Sequence, residues 1–336
     1  MRFLKVFLAV VLLLLVVYLL GPHPDSPVYT NTLPEVPASD SALEQYISKQ
    51  ESQHKIKPDN EARIVWANES KQKTEYAIVY LHGFSASQEE GNPVHRNIAK
   101  QFGCNLYLAR LSQHGIDTTD ALYNMTAENL WESAKQAYAI GKQLGNKVII
   151  MGTSTGGTLA LQLAAAYPEI AGLVLYSPNI AINDPNAWLL NNPWGLQIAR
   201  LVKGSEYNII KNKPAVYGQY WNQQYRLEAT VQLEELLETT MRVPTFEKIK
   251  QPVLTLYYYK DEKNQDPVVK VSAIKDMMAS LNTPDSLERM VALPNAGSHV
   301  LASPIQSKDI VSVEKETALF MKEILHMVAL LEQKEE

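Results

Sequence analysis

The segment "VIIMGTSTGGTLALQLAAAYP", residues 148–168, constrains the fold more than any other stretch of this chain. A short apolar run typical of a buried strand changes directly into a helix-like run, and Ser154 lies at the junction between Gly152 and Gly156. Glycines on both sides permit a sharp turn and a close approach of strand and helix. The pattern therefore predicts a strained Ser154 with an exposed hydroxyl, as a nucleophile requires. A phosphate-binding loop is the competing interpretation, but no lysine follows the glycine pair.

Strand-like and helix-like segments alternate along most of the chain after residue 41. Such alternation implies right-handed crossovers and a doubly wound, mostly parallel sheet with helices on both faces, which is an α/β fold. The predicted strands are 62–67, 76–84, 105–111, 147–152, 170–178, 252–259 and 287–293, and the main predicted helices are 42–52, 126–145, 155–167 and 313–333.

Residues 179 to 250 interrupt this alternation with two helix-like segments, 186–202 and 216–241, and no strand between them. Three of the five tryptophans fall here: Trp188, Trp194 and Trp221. We interpret the stretch as an inserted helical cap above the carboxyl ends of the strands, where open α/β sheets bind ligands. The three tryptophans are the predicted substrate-binding residues.

The N-terminal residues 1–20 form a separate unit. Arg2 and Lys5 precede fifteen unbroken apolar residues, 6–20, which as a helix would span about 22 Å. This length suits a short membrane span or a long signal-peptide core. No small-residue cleavage site follows closely, which favours a retained anchor with the catalytic domain outside the cytoplasm. The alternative is a cleaved signal and a secreted or periplasmic protein.

Five prolines between residues 21 and 40 predict an extended spacer, so the predicted folded domain covers 41–336. The net charge of −5 gives no electrostatic argument for binding nucleic acid. The single cysteine, Cys104, excludes a disulfide within the chain.

A serine nucleophile needs a base, and His299 has the best placement of the seven histidines. It lies in the loop "LPNAGSHVLASP", directly after a predicted strand. A carboxylate that orients it should follow the preceding strand, where both Asp266 and Asp261 occur. Asp266 precedes Pro-Val-Val and is favoured, whereas Asp261 would suit a solvated turn. The predicted triad is Ser154, Asp266 and His299, in the chain order of one class of serine hydrolase.

An oxyanion hole requires two N–H donors, one of them on the residue after the nucleophile. Thr155 is that residue. The second expected donor is Phe84, in the loop "LHGFSAS" after an early strand, where Gly83 permits the turn. His82 is expected to brace this loop rather than take part in chemistry.

These motifs, together with "LSQHG", "DPVV" and "AGSHV", resemble the α/β-hydrolase superfamily over about residues 62 to 330. The most similar branch contains monoglyceride lipases, carboxylesterases and serine aminopeptidases. The resemblance implies an oxyanion hole formed by the "HGF" phenylalanine and the residue after the serine.

The sequence thus predicts a serine hydrolase that cleaves esters with a lipid-like or medium-chain acyl group and needs no metal or organic cofactor. A membrane contact through the N-terminal segment agrees with such a substrate. A serine peptidase is the first alternative, and it should show acidic cap residues that hold a free amine; the candidates are Glu228, Glu234, Glu235 and Glu238. A non-catalytic anchored binding protein is the second alternative.

Overall fold

Nine strands and eleven α-helices occur in residues 2–38 and 40–330, the part of the chain that the computed structural model describes. The strands are β1 (Arg63–Val65), β2 (Thr74–Leu81), β3 (Asn105–Leu108), β4 (Gly145–Thr153), β5 (Gly172–Tyr176), β6 (Tyr207–Ile209), β7 (Gln224–Arg226), β8 (Val253–Tyr257) and β9 (Glu288–Ala292). The helices are α1 (Arg2–Leu19), α2 (Asp40–Glu51), α3 (Val94–Gln101), α4 (Ala127–Leu144), α5 (Thr155–Ala166), α6 (Gly195–Lys203), α7 (Ala215–Tyr220), α8 (Glu228–Thr240), α9 (Val243–Phe246), α10 (Val271–Met278) and α11 (Ile310–Glu323).

Seven strands form one sheet in the order β1-β3-β2-β4-β5-β8-β9. Only the edge strand β1 is antiparallel to its neighbour, so the predicted mostly parallel sheet is confirmed. Side chains of β4 alternate between two cores: Ile150 packs on one face and Ile149 on the other. Both are fully buried, as expected for a parallel sheet covered by helices on both faces.

Several predicted elements have their boundaries where the sequence signals place them. Helix α4 begins after Thr126, which forms a reciprocal capping box with Asn129, and ends at Gly145. The last helix differs, since α11 begins after its N-cap Asp309 and ends at Glu323. The predicted continuation of that helix to residue 333 is wrong up to residue 330, and residues 331–333 lie outside the described part.

The prediction that residues 179–250 contain no strand is wrong. Strands β6 and β7 pair antiparallel within this insertion, which also contains α6, α7, α8 and α9. Gly204, with φ of +60°, ends α6 before β6. The predicted helix over residues 216–241 breaks at Trp221, where the backbone is extended. Tyr225 of β7 then packs edge-on against Phe84, and this tertiary contact favours the extended conformation over the helix that the composition suggested.

The N-terminal part has two distinct structures. Helix α1 has no buried residue, and among the described helices it is the one long and apolar enough to cross a membrane. The following spacer is extended, but it lies against the domain, because Trp131 and Tyr167 donate hydrogen bonds to the carbonyl groups of Thr30 and Asn31 at 2.7 and 2.8 Å. The end of α1 contacts the insertion through Trp194.

Candidate active site

Ser154 occupies the turn between β4 and α5 with φ of +53° and ψ of −117°, a conformation that costs energy for any residue other than glycine. Its N–H donates to the carbonyl of Tyr176 at 2.9 Å, which fixes the turn. A Cβ atom on Gly156 would lie 1.9 Å from the carbonyl oxygen of Leu81, so only glycine allows α5 to pass this close to β2. The local geometry is that of the predicted strained turn.

Asp266 and His299 are brought together by the loops that follow β8 and β9. His299 Nδ1 donates to Asp266 Oδ2 at 2.7 Å. The other carboxylate oxygen, Oδ1, accepts the N–H groups of Val268 and Val269 at 2.8 and 3.1 Å. Asp266 is completely buried, and these three donors hold its carboxylate in one orientation. The "DPVV" motif therefore supplies both the carboxylate and the backbone donors that position it.

The charges of this pair reinforce each other. Burial alone would raise the pKa of Asp266, but the His299 charge and hydrogen bond and the two backbone donors together lower it. Burial alone would lower the pKa of His299, yet the charge and hydrogen bond of Asp266, with a contribution from Glu90, raise it. Because Nδ1 carries the proton that bonds Asp266, Nε2 of the neutral ring is free to accept another.

Asp261, the alternative carboxylate, is placed differently. It is exposed and accepts hydrogen bonds from the N–H groups of Lys263 and Asn264, both at 2.9 Å. These bonds close a surface turn. Asp261 therefore stabilises the loop that carries Asp266 and does not contact His299.

A cavity of about 830 Å³ separates the sheet edge from the insertion, and both Ser154 and His299 border it. Most of its wall is apolar and comes from the insertion and the loops next to it; examples are Ile182, Leu189, Leu190, Ile198, Val202, Ile210 and Leu233. The insertion therefore covers the carboxyl edge of the sheet as the sequence predicts, and it leaves room for an apolar chain beside Ser154.

The three predicted substrate-binding tryptophans have different environments. Trp221 borders the cavity, is 3% exposed and stacks on Tyr217 with ring centroids 5.0 Å apart. Trp188 and Trp194 are 53% and 37% exposed and do not border this cavity. Trp194 instead donates from its backbone N to the carbonyl of Pro22 at 2.9 Å and from Nε1 to the carbonyl of Val17 at 3.0 Å.

The loop after β2 places Phe84 at the cavity wall. His82 donates from Nδ1 to the carbonyl of Gly83 at 2.9 Å, and its Nε2 accepts the Leu111 N–H at 3.1 Å. These roles require the neutral ring, and burial lowers the pKa of His82 well below its usual value. Thr155 is the first residue of α5, and the first N–H groups of a helix have no acceptor within the helix. The bracing role predicted for His82 agrees with these contacts.

Glu90 is a functional candidate that the sequence did not single out. It lies in a short 3₁₀ turn, Gln88–Gly91, is 2% exposed and borders the cavity. Its Oε2 accepts the N–H of Gly83 at 2.5 Å. The motif "SASQEEG" gave no signal that separates Glu90 from its neighbour Glu89, because the two identical residues are adjacent within the same short turn.

None of the four glutamates considered for amine binding borders the cavity. Glu228 accepts hydrogen bonds from Arg226 and Arg200, and Glu235 accepts one from Asn191. Glu234 is buried within the insertion. Among the described residues, no group of three or more His, Cys, Asp or Glu side chains could hold a metal ion.

Comparison with known proteins identifies the fold family. A family model described as "alpha/beta hydrolase fold" matches residues 76–277. A thermostable monoacylglycerol lipase of Bacillus sp. (strain H-257) is 32% identical over 108 residues, which are 32% of this chain and 42% of that protein. A probable alcohol acetyltransferase of Saccharomyces cerevisiae is 27% identical over 113 residues, 33% of this chain and 32% of the relative. The matched regions thus span less than half of either relative.

Solved structures show the same fold over a larger part of the chain. One described under "LipS and LipT, two metagenome-derived lipolytic enzymes" superposes with a TM-score of 0.62 at 17% identity and covers 80% of this chain and 99% of its own. Est1E from Butyrivibrio proteoclasticus with bound ferulic acid gives 0.53 at 17% identity and covers 79% of this chain and 95% of its own. At these identities the likeness establishes the fold.

Proposed function

The chain belongs to the α/β-hydrolase fold family, and from this premise we propose that it is a serine hydrolase that cleaves carboxylic esters with a lipid-like or medium-chain acyl group. The observation that carries the proposal is the 2.7 Å hydrogen bond between the buried Asp266 and His299, which borders the same apolar cavity as the strained Ser154. The similar lipases and esterases support the reaction class.

In the proposed mechanism His299 Nε2 takes the proton of Ser154 as Oγ attacks the ester carbonyl carbon. Asp266 stabilises the imidazolium that forms. The N–H groups of Phe84 and Thr155 hold the negative oxygen of the tetrahedral intermediate. His299 then protonates the leaving alcohol, which produces an acyl-enzyme, and a water molecule activated by the same ring releases the acid.

The wall of the cavity supports the choice of substrate. Its aliphatic side chains exclude water from an acyl chain, and each buried methylene of that chain is worth about 0.8 kcal/mol. A volume of about 830 Å³ lies within the usual range for small-molecule sites and exceeds what an acetyl group needs. A short acetyl ester would therefore leave most of the apolar wall uncovered.

We also propose that α1 remains attached and anchors the domain to a membrane, with the catalytic domain outside the cytoplasm. The exposed apolar surface of α1 supports this, as do the hydrogen bonds of Trp194 to Val17 in the last turn of α1 and to Pro22 just after it. Fractionation of cells that express the full chain tests it, with protease added to intact cells or spheroplasts. Recovery of a shortened soluble protein would identify α1 as a cleaved signal instead.

Hydrolysis of p-nitrophenyl butyrate by the full chain in detergent tests the esterase, with Ser154→Ala as the comparison. We expect the substitution to reduce kcat by about 10⁴-fold or more, since the nucleophile is lost. Activity that persists in Ser154→Ala would contradict the proposed nucleophile. If the folded wild type cleaves aminoacyl p-nitroanilides and no esters, the peptidase alternative replaces the esterase.

A further inference from the structure

The carboxyl group of Glu90 lies against the backbone that precedes the proposed oxyanion donor Phe84. A Cβ atom on Gly83 would meet Glu90 Oε2 at 2.8 Å and the Cβ of Ser154 at 3.0 Å. The carboxyl and the nucleophile thus contact the same glycine from two directions. No step of the proposed mechanism uses this buried acid.

Two side chains hold the two peptide groups on either side of the Gly83 Cα. Glu90 accepts the Gly83 N–H and fixes the peptide between residues 82 and 83. His82 donates to the Gly83 carbonyl and fixes the peptide between Gly83 and Phe84. Because C=O and N–H point in opposite directions in a trans peptide, holding the Gly83 carbonyl directs the Phe84 N–H the other way. Glycine is the residue with the greatest backbone freedom, so both contacts are needed to define this turn.

We propose that Glu90 is a positioning residue of the oxyanion hole. By accepting the Gly83 N–H it fixes the backbone that precedes Phe84, so that the Phe84 N–H points at the negative oxygen before substrate arrives. The inference rests on the proposed esterase activity. Electrostatic stabilisation of this kind depends on donors that need no reorganisation during the reaction. Glu90 acts through Gly83 and touches no reacting atom.

The surroundings of the carboxyl agree with this role. The titratable groups around it are His299, Tyr80 and Tyr217, and the Trp221 side chain favours its ionised form. Burial raises the pKa of Glu90 to about 7, against the opposing effects of the Gly83 N–H, His299 and Trp221. In its ionised form Glu90 also raises the pKa of His299.

The test compares Glu90→Ala, Glu90→Gln and the control Glu234→Gln in the full chain, in detergent. Glutamine retains an oxygen acceptor for the Gly83 N–H, whereas alanine removes it. Glu234 is an equally hidden carboxyl, 5% exposed, whose pKa burial also raises to about 7, but it lies away from the cavity wall. The measurements are kcat and KM for p-nitrophenyl butyrate, the thermal midpoint, and the affinity for butaneboronic acid, whose serine adduct carries an oxyanion.

We expect Glu90→Ala to lower kcat and boronate affinity by about 100-fold, comparable to the loss of one oxyanion donor, with KM changed less than about threefold. Glu90→Gln should remain within about fivefold of wild type. Its acid limb in the profile of kcat/KM against pH should move to lower pH, because a negative charge beside His299 is gone and the pKa of that ring falls. Glu234→Gln should leave kcat, KM and boronate affinity unchanged.

Wild-type kcat and boronate affinity in a folded Glu90→Ala variant would overturn the positioning role, as would an equal loss in Glu90→Gln and Glu90→Ala. A wild type without esterase activity, or activity independent of Ser154, would instead refute the proposed function. The two failures are therefore distinguishable.

Discussion

The edge of the sheet and the insertion above it form two walls of one cavity, but different forces hold them. The sheet edge carries Ser154, Asp266 and His299 on turns held by backbone hydrogen bonds, and the strands before Ser154 and Asp266, β4 and β8, are mostly buried. The insertion contains a two-stranded antiparallel sheet and helices with exposed apolar side chains, such as Leu201, which is 83% exposed, and Val202, which is 77% exposed. The residues of the proposed triad thus lie on the more buried wall, and much of the apolar contact area lies on the more exposed one.

The difference also separates effects on rate from effects on substrate choice. Changes at the sheet edge should alter kcat for every ester, because they alter the reacting groups. The effect of changes in the insertion on activity should depend on the length of the acyl chain, because these changes alter the apolar area that the acyl chain contacts.

The largest expected effect comes from Asp266→Asn at the sheet edge. Asparagine presents a neutral amide to His299, which disfavours the required tautomer and lowers the pKa of the ring, so kcat should fall by about 10³- to 10⁴-fold. The matched control is Asp261→Asn, five residues earlier, which should leave kcat within about twofold. Steady-state kinetics on p-nitrophenyl butyrate measures both, and an equal loss in the two variants would contradict the assignment of Asp266.

An intermediate effect is expected from Trp221→Ala in the insertion. Removing this buried ring takes away the stack on Tyr217 and part of the cavity wall, which should destabilise the fold by about 3 kcal/mol. It should also lower kcat/KM about 10- to 100-fold for octanoate esters, and less for acetate esters. Trp188→Ala, at an exposed position, should change neither quantity. A loss in Trp221→Ala that is independent of chain length would place Trp221 with the catalytic wall instead.

The smallest effect on activity is expected from Glu234→Gln, which should change stability alone. The carboxyl oxygen Oε2 of Glu234 is buried without a hydrogen-bond partner in the described structure, and burial raises its pKa to about 7. A raised pKa means that the folded state binds the proton more tightly, so stability from this group is lost as pH rises from about 4.5 through 7. The variant should therefore be more stable than wild type at pH 8, by up to about 3 kcal/mol, and equal to it at pH 4. Thermal unfolding at the two pH values measures this. If the difference in stability between variant and wild type is the same at pH 4 and pH 8, the pKa of Glu234 is not raised.

The sequence predicted the sheet edge better than the insertion for a physical reason. Ser154, Asp266 and His299 follow apolar runs whose order along the chain determines which turns meet at the carboxyl edge. Their placement therefore depends on local patterns. The two-stranded sheet of β6 and β7 was missed because its strands are only three residues long. In addition, Tyr225 adopts an extended backbone through its contact with Phe84, which is distant in sequence. Glu90 was missed because its burial depends on one 3₁₀ turn.

Trp194 lies where the end of α1 meets the insertion. Its indole N–H donates to the carbonyl of Val17 in the last turn of α1, and its backbone N–H donates to the carbonyl of Pro22. Helix α6 begins at the next residue. The first segment of the insertion is therefore bonded at both ends: Asn179 and Asn183 donate to the carbonyls of Ser154 and Val268 at the sheet edge, and Trp194 contacts the end of α1. If a bilayer holds α1 at a fixed tilt, any outward swing of α6 must either break the two Trp194 bonds or turn the helix against the lipid. The thickness of the bilayer would then affect how easily α6 moves at the cavity wall. The rate of ester cleavage would depend on the length of the surrounding lipid chains as well as on the length of the acyl chain in the site.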